Sequence, residues 1–321
     1  MSIVTDQLRP FWLSSLNEIS GKLEFGLAEW MRRGTYQITT LLKPGEFVLD
    51  IPSGDLNFQR AIAYDLARMS MAAFESIGNV KQHPSMPKSL GWTIIETYYS
   101  AFFAAHALLR TFGISLTQLE PAYIANVQKI AATYGVDNGQ TLGSGFYICV
   151  FDPLTKKLTC TNEGRNGGSH EILWKRFVNI MLTFSTKILS TSGPTSNQQN
   201  AAIKLTELCN CLKHNGGNAG TWLSIIRNQT NYKHELGAWF PYGTRGSYYS
   251  QLPLMQNEWK KKPEEIAIWS GTGRDLQRFV GACNVILALL KSTTLDMSKR
   301  CSTGKSFQVT TTQAVLNLMG Q

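Results

Sequence analysis

The sequence predicts a mainly α-helical protein, a helical bundle with a small β-hairpin insertion and a helical amino-terminal region. Apolar residues recur at helical spacing in most of the long segments. Residues 91–112 are apolar on almost every face, as expected of a helix at the centre of a bundle. Residues 145–161 alternate between apolar and polar side chains around a central turn, which predicts the hairpin.

The first eighty residues are predicted to form a separate helical region. Apolar residues from Leu13 to Met31 recur at helical spacing, and residues 47–50 form a short extended run. Ser53 is expected to cap the helix that follows. Residues 81–89 contain two prolines and no periodicity, and this pattern predicts a linker.

A larger helical bundle is predicted over residues 90–292, and the Ser/Thr-rich residues 293–321 are assigned to a tail. Residues 190–200 are polar and predict a loop. The apolar periodicity predicts further helices over residues 169–184, 201–213, 222–234 and 273–291.

The composition excludes a disordered chain and favours an anionic partner. Of the 321 residues, 43% are hydrophobic and 17% are charged, which is enough apolar surface to build a core. The net charge of +9 favours a polyanion such as RNA through non-specific attraction. A basic surface without any specific partner is the alternative.

Neither a metal nor a cofactor is expected. The six cysteines show no spacing typical of a zinc site, and no cluster of His and carboxylate residues is apparent. The amino terminus lacks the pattern of a secretory signal, and no uncharged apolar stretch approaches the roughly 20 residues that span a bilayer. A cytoplasmic protein without a membrane partner is therefore predicted.

The segment Trp222–His234 carries the strongest functional signal. Arg227, Asn231 and His234 occupy positions i, i+4 and i+7 of the predicted helix. Seven residues at about 100° each come to roughly 700°, so Arg227 and His234 are expected within about 20° of one another. A guanidinium can hold a phosphodiester oxygen while an imidazole moves a proton. A surface ion pair with Glu235 or Glu207, and capping of the helix end by His234, are the alternatives.

The same pattern occurs a second time, at Arg165-Asn166 followed by His170. Two glycines stand between Asn166 and His170, so this version is expected in a loop, where helical spacing does not align its side chains. It also precedes a helix amino terminus, which can itself bind an anion. We rank these three residues as the alternative catalytic set.

Four further residues are assigned to substrate binding. Trp239 is a candidate for stacking on an RNA base, with packing at the end of the bundle as the alternative. His106 is a candidate for reaching the site from the adjoining helix, although the pattern favours a buried core residue. Tyr232 and Lys233 immediately precede His234 and complete the set.

Two features together resemble the HEPN (higher eukaryote and prokaryote nucleotide-binding) domain superfamily. The helix over Tyr98–Leu109 resembles the first long helix of these domains. Arg227-Asn228 followed by His234 is similar to their active-site motif, an Arg and a polar residue with a His after four to six intervening residues. The resemblance covers residues 90–292 and implies an HEPN-like helical bundle; the first eighty residues lie outside it.

The resemblance implies a metal-independent endoribonuclease, or a relative that only binds RNA, often a homodimer in which two motifs face each other. Such proteins often belong to toxin or anti-phage defence systems, with an antitoxin or another defence-system partner. Some of them carry a Tyr that is modified shortly after the motif His. Here the nearest tyrosine, Tyr232, precedes His234, so that regulatory scheme does not transfer.

The implied reaction is attack of the RNA 2′-hydroxyl on the adjacent phosphorus, which leaves a 2′,3′-cyclic phosphate and a 5′-hydroxyl. His234 is expected to take the hydroxyl proton, and Arg227 to stabilise charge on the phosphoryl oxygens. Asn228 and Asn231 are expected to orient this pair or to bind phosphate. RNA and not DNA would be cleaved. The rivals are a non-catalytic HEPN-like module that binds RNA or a nucleotide, and a structural scaffold protein.

Overall fold

A computed structural model describes residues 2–78, 90–164, 168–217, 219–239, 257–268 and 274–320. Over these residues the chain is mainly helical with one four-stranded antiparallel sheet, so the predicted mainly α class is confirmed. The α-helices are α1 (Ile3–Leu8), α2 (Leu27–Arg33), α3 (Leu56–Gly78), α4 (Leu90–Thr111), α5 (Pro121–Thr133), α6 (Ser169–Leu189), α7 (Ser196–Leu212), α8 (Trp222–Asn231), α9 (Asp275–Lys299) and α10 (Gln313–Leu318). The strands are β1 (Glu46–Asp50), β2 (Ile114–Leu119), β3 (Gly145–Asp152) and β4 (Lys157–Asn162).

Helix α4 lies at the centre of the bundle, as its all-round apolar surface predicts. It packs against α3, α6, α8 and α9. Ala101, Ala104 and Ala105 are fully buried, and such small side chains let neighbouring helices approach closely. The helix ends before Gly113, whose φ of +75° favours glycine and turns the chain directly into β2.

The predicted hairpin is confirmed, but it forms the middle of a larger sheet of strand order β1-β4-β3-β2. All neighbouring strands are antiparallel, and Cys149 of β3 lies opposite Cys160 of β4. Strand β1 comes from the predicted amino-terminal region and pairs with β4, with Phe47 opposite Cys160. The sequence prediction does not include strand β2, although its residues 114–117 alternate between apolar and polar side chains. The polar residues Ser115 and Thr117 do not face solvent; both are buried and their hydroxyl groups are hydrogen-bonded to each other.

The amino-terminal region contains less α-helix than its periodicity predicts. Residues between Leu13 and Met31 form a 3-10 turn at Leu16–Glu18 and the short helix α2, with Ser15 in the left-handed region at φ +65°. Asp55, not Ser53, caps α3, since its Oδ1 accepts from two backbone amides of the first turn. The predicted linker, residues 81–89, lies outside the described residues.

Two other helices extend beyond their predicted bounds. Helix α7 begins within the predicted loop, where Thr195 and Gln198 form a capping box. Helix α9 continues past residue 291 to Lys299, and α10 occupies part of the predicted tail. Helix α9 is long and apolar enough to cross a bilayer. However, 89% of its most apolar 18-residue stretch is buried inside the protein, as in the core helix of a soluble protein.

Candidate functional site

Side chains from α4, α6 and α8 meet in one polar cluster, formed by Tyr98, Tyr99, His170, Ser224 and Arg227. Helix α4 contributes the two tyrosines, the first turn of α6 contributes His170, and α8 contributes the other two residues. Tyr98 and Ser224 are buried, so their hydroxyl groups must find partners inside the protein. The cluster is therefore assembled by helix packing and not by neighbouring positions in the sequence.

Neutral oxygens hold the guanidinium of Arg227. Its Nη2 donates to Tyr99 Oη at 2.8 Å, and its Nη1 donates to Asn228 Oδ1 at 2.8 Å. The guanidinium carbon lies 5.7 Å from the centre of the Tyr99 ring and 5.1 Å from the centre of the Tyr232 ring. The Arg227 Nε atom is buried and makes no hydrogen bond with any described residue.

Arg227 has no carboxylate counter-ion within 4.0 Å in the described part of the chain. The predicted alternative, an ion pair with Glu235 or Glu207, is therefore not formed; Glu207 pairs instead with Lys204 at 3.4 Å. A half-buried cation without a carboxylate partner in the described residues suits an anionic ligand.

His170 is hydrogen-bonded to Tyr98, the first of the two tyrosines. Its Nδ1 atom lies 2.8 Å from Tyr98 Oη, and its ring centre lies 4.3 Å from that of Phe102. Burial, and then the positive charge of Arg227, lower the pKa of His170 to about 4. The imidazole is therefore neutral near pH 7. Arg227 of one predicted motif and His170 of the other are thus held by two adjacent tyrosines of α4.

Two hydrogen-bond arrangements satisfy the groups around Tyr98. Its hydroxyl oxygen accepts from Trp174 Nε1 at 3.0 Å, since an indole N–H only donates, and lies 3.0 Å from Ser224 Oγ. If Tyr98 donates to Ser224, His170 Nδ1 carries the hydrogen and His170 Nε2 is a free proton acceptor. If Tyr98 donates to His170, Nε2 carries the hydrogen. Burial raises the pKa of Tyr98 to about 12, so the phenol stays protonated in both arrangements.

The prediction that one continuous helix carries Arg227 and His234 is wrong. Helix α8 ends at Asn231, and His234 is an exposed residue with φ +51°, in the left-handed region. The expected alignment of the two side chains over two helical turns does not exist. No hydrogen bond joins them in the described structure, and a catalytic role for His234 stays a prediction.

Later segments of the chain end helix α8. The backbone N–H of Glu235 donates to the Gln229 carbonyl at 3.0 Å, and Trp239 Nε1 donates to the Thr230 carbonyl at 2.7 Å. A longer helix would use these carbonyls for its own next turn. The hydrogen bond from Trp239 therefore occupies a carbonyl that a helix continuing through residues 232–234 would need.

The remaining predicted residues around α8 are at the surface. Asn231 is half-buried at the end of the helix, and Tyr232 and Lys233 are exposed. Trp239 packs against Gly91 at the start of α4, where an added Cβ would lie 2.4 Å from the indole ring. Trp239 thus packs at the end of the bundle, which is the sequence-based alternative to stacking on an RNA base. Its side chain is half-buried.

His106 is a buried residue beside a second arginine. Its Nδ1 atom lies 3.1 Å from Arg110 Nη1, and burial lowers the pKa of His106 well below its usual value. The ring of Phe102 lies between the two histidines, with its centre 4.8 Å from the ring of His106 and 4.3 Å from that of His170. His106 is thus separated from the polar cluster by one aromatic ring.

Arg165 and Asn166, the first two residues of the alternative motif, lie outside the described residues. The sites predicted from the sequence do not include Tyr98, Tyr99, Trp174 or Ser224. The one available signal was the pair of tyrosines in an otherwise apolar helix, since buried phenol groups need hydrogen-bond partners.

The cluster combines a permanent cation, a neutral imidazole and two phenols. Such a set can bind an anionic group and transfer a proton beside it. No group of three or more His, Cys, Asp or Glu residues that could hold a metal ion occurs in the described ranges.

No protein-family model, curated protein or solved structure matches the chain.

Proposed function

We propose that the protein is a metal-independent endoribonuclease that cleaves RNA through attack of a ribose 2′-hydroxyl on the adjacent phosphorus. The observation that carries the proposal is that two adjacent tyrosines of α4 hold Arg227 and His170. Among the described residues only neutral oxygens hold the guanidinium, and the imidazole is neutral near pH 7. The reaction needs a fixed positive charge at the phosphate and a proton acceptor at the 2′-hydroxyl.

Arg227 binds the scissile phosphate in this proposal. Tyr99, whose hydroxyl oxygen accepts from Arg227, keeps its own proton for a phosphoryl oxygen. Asn228 accepts from Arg227 through Oδ1, so its amide N–H groups are left to donate to the same anion. These donors stabilise the charge that grows on the phosphoryl oxygens in the transition state.

His170 is the proton acceptor. Its Nε2 takes the 2′-hydroxyl proton, the 2′-oxygen bonds to phosphorus, and the bond from phosphorus to the 5′-oxygen breaks. Burial is the larger cause of the low pKa of His170, and the charge of Arg227 is the smaller one. A phosphate bound at Arg227 compensates that charge and so raises the pKa of His170 from about 4, while burial still holds it below the ordinary value. The family resemblance implies a homodimer, and a second protomer would supply the proton to the leaving 5′-oxygen.

A non-catalytic RNA- or nucleotide-binding module is the second candidate. The observation that favours it is the pKa of about 4 for His170, because an imidazole of such low basicity is a weak general base without a bound anion. Arg227, Tyr232 and the net charge of +9 would serve RNA binding equally well. A toxin or anti-phage defence role, with an antitoxin or defence-system partner, follows only from the resemblance.

The test is cleavage of a single-stranded RNA by the purified full-length protein in EDTA. We expect a 2′,3′-cyclic phosphate product, loss of cleavage in both Arg227→Gln and His170→Gln, and retained cleavage in His234→Gln. RNA binding without cleavage would select the binding module. No salt-dependent RNA binding at all would select the scaffold protein.

A further inference from the structure

A separate cleft lies on the far side of Phe102 from the polar cluster. Its volume is about 530 Å³, within the range of about 300–1,000 Å³ that is usual for small-ligand pockets. Helices α2, α3 and α4, strands β2 and β3, and the first residue of α6 contribute to its walls. The lining residues that matter here are Tyr64, Asp65, Arg68, Phe102, His106 and Arg110.

Positive charge exceeds negative charge at the floor of this cleft. Asp65 is buried and lies 3.2 Å from an Arg68 nitrogen and 4.0 Å from Arg110 Nε. The Arg110 side chain is only 3% exposed, and its Nε makes no hydrogen bond with any described residue. Asp65 also accepts from the backbone N–H of Leu27 at 3.1 Å, so one carboxylate serves two guanidinium groups and an amide.

The other titratable groups around the cleft do not cancel this excess of positive charge. Glu29 also lines it, but its carboxylate pairs with Arg32 at 2.6 Å and with Arg33 at 3.4 Å. His106 is neutral, because burial lowers its pKa well below the usual value. The Arg68 side chain is 59% exposed and is the cation that a ligand in the cleft can reach.

The walls are aromatic. Tyr64, Tyr123 and Phe146 are half-buried rings that face the cleft, and Phe102 closes its inner end. The guanidinium carbon of Arg68 lies 5.9 Å from the centre of the Tyr64 ring, so the positive charge of Arg68 lies next to one of these aromatic rings. Aromatic rings beside a guanidinium are the combination that binds a base and a phosphate of the same nucleotide.

The cleft lies next to the polar cluster, with the Phe102 ring between them. Phe102 lines the cleft, and its ring centre lies 4.3 Å from the ring of His170. Ser169, which also lines the cleft, directly precedes His170. A strand of RNA that passes Arg227 and His170 therefore has the cleft next to it.

We propose that this cleft binds one nucleotide of the RNA, with the base among the aromatic rings and the phosphate at Arg68. The occupant's chemistry, an aromatic base linked to a phosphate, follows from the walls and charges of the cleft itself. Its membership of an RNA chain rests on the proposed function of the polar cluster. The cleft would then fix which nucleotide lies beside the cleaved bond.

The test measures binding of adenosine 5′-monophosphate to the full-length protein by calorimetry. Arg68→Gln removes a charge-assisted contact, so we expect its affinity to fall about tenfold or more, and Tyr64→Leu to weaken binding as well. Arg60→Gln, on the same helix but outside the cleft, is the matched control and should bind as the wild type.

No binding at millimolar nucleotide, or equal binding by Arg68→Gln and the wild type, would overturn the proposal. A second probe, a short 2′-O-methyl RNA that cannot be cleaved, separates a free nucleotide from one in a chain. We expect both Arg68→Gln and Arg227→Gln to weaken its binding. If Arg68→Gln weakens binding of the mononucleotide but not of the 2′-O-methyl RNA, the cleft binds a free nucleotide. The proposal that it binds a nucleotide of the RNA is then overturned. Failure of RNA cleavage with intact mononucleotide binding would reject only the nuclease.

Discussion

The charge of Arg227 lies close enough to the imidazole of His170 to lower its pKa, although the two residues belong to different Arg-Asn…His segments of the chain. Tyr98 and Tyr99, neighbours on α4, each hold one of them by a hydrogen bond of 2.8 Å. The sequence predicts one motif or the other as the site, whereas the fold brings one residue of each to the same pair of tyrosines.

Substitution of Arg227 should reduce RNA cleavage far more than it reduces stability. Arg227→Gln removes the charge at the phosphate, and loss of one such transition-state donor costs about 10²–10³-fold in rate. Arg227→Lys keeps the charge but cannot contact Tyr99 and Asn228 together, so an intermediate loss is expected. Single-turnover cleavage measures both.

Arg176 offers a matched control for this series. It lies on α6 and pairs with Glu163 at 3.5 Å, away from the polar cluster. Arg176→Gln should cleave at the wild-type rate. Equal loss in Arg176→Gln and Arg227→Gln would point to a general effect of net charge and contradict a specific role for Arg227.

The pKa of His170 should rise when the charge beside it is removed or compensated. In the free protein it is about 4, and Arg227→Gln should bring it closer to the ordinary value of 6.5. A saturating non-cleavable RNA should also raise the pKa of His170, because its phosphate supplies negative charge. NMR titration of the imidazole resonances of the full-length protein gives both values; an unchanged pKa in Arg227→Gln would show that burial alone sets it.

The neighbouring tyrosines should respond oppositely to loss of their hydroxyl groups. Tyr98→Phe leaves the buried Trp174 Nε1 without its acceptor, so the free energy of unfolding should fall by about 1–3 kcal/mol. Tyr99 is half-buried and its hydroxyl contacts Arg227, so Tyr99→Phe should keep stability and slow RNA cleavage. Urea denaturation and single-turnover rates separate the two effects, and a stability loss in Tyr99→Phe as large as that in Tyr98→Phe would contradict this assignment.

Gly91→Ala should destabilise the protein even though alanine favours a helix by about 1 kcal/mol over glycine. The new Cβ would lie 2.4 Å from the indole of Trp239, and overpacking of this kind costs about 1–3 kcal/mol. Gly143→Ala is the control, since nothing lies within 4 Å of its Cβ. Thermal unfolding with Trp fluorescence reports both stability and the position of Trp239; a more stable Gly91→Ala protein would contradict the close packing.

The features that the sequence predicted are those set by local patterns. Helix α4 and the β3–β4 hairpin follow from residues close together in the chain, and the structure contains both. The end of α8 depends on hydrogen bonds from Glu235 and Trp239, which no helical pattern encodes. The contact of Arg227 with Tyr99 depends on how α8 packs against α4, and helix packing is not visible in the spacing of either segment.

The position of β1 has a practical consequence for truncated proteins. This strand comes from residues 46–50 but covers the edge of β4, at residues 157–162. A fragment that starts at residue 90 would contain the whole polar cluster and yet leave the β4 backbone without its neighbour on one side. Unpaired strand edges recruit other chains, so such a fragment should aggregate when expressed alone and be rescued by residues 2–78 supplied as a second polypeptide.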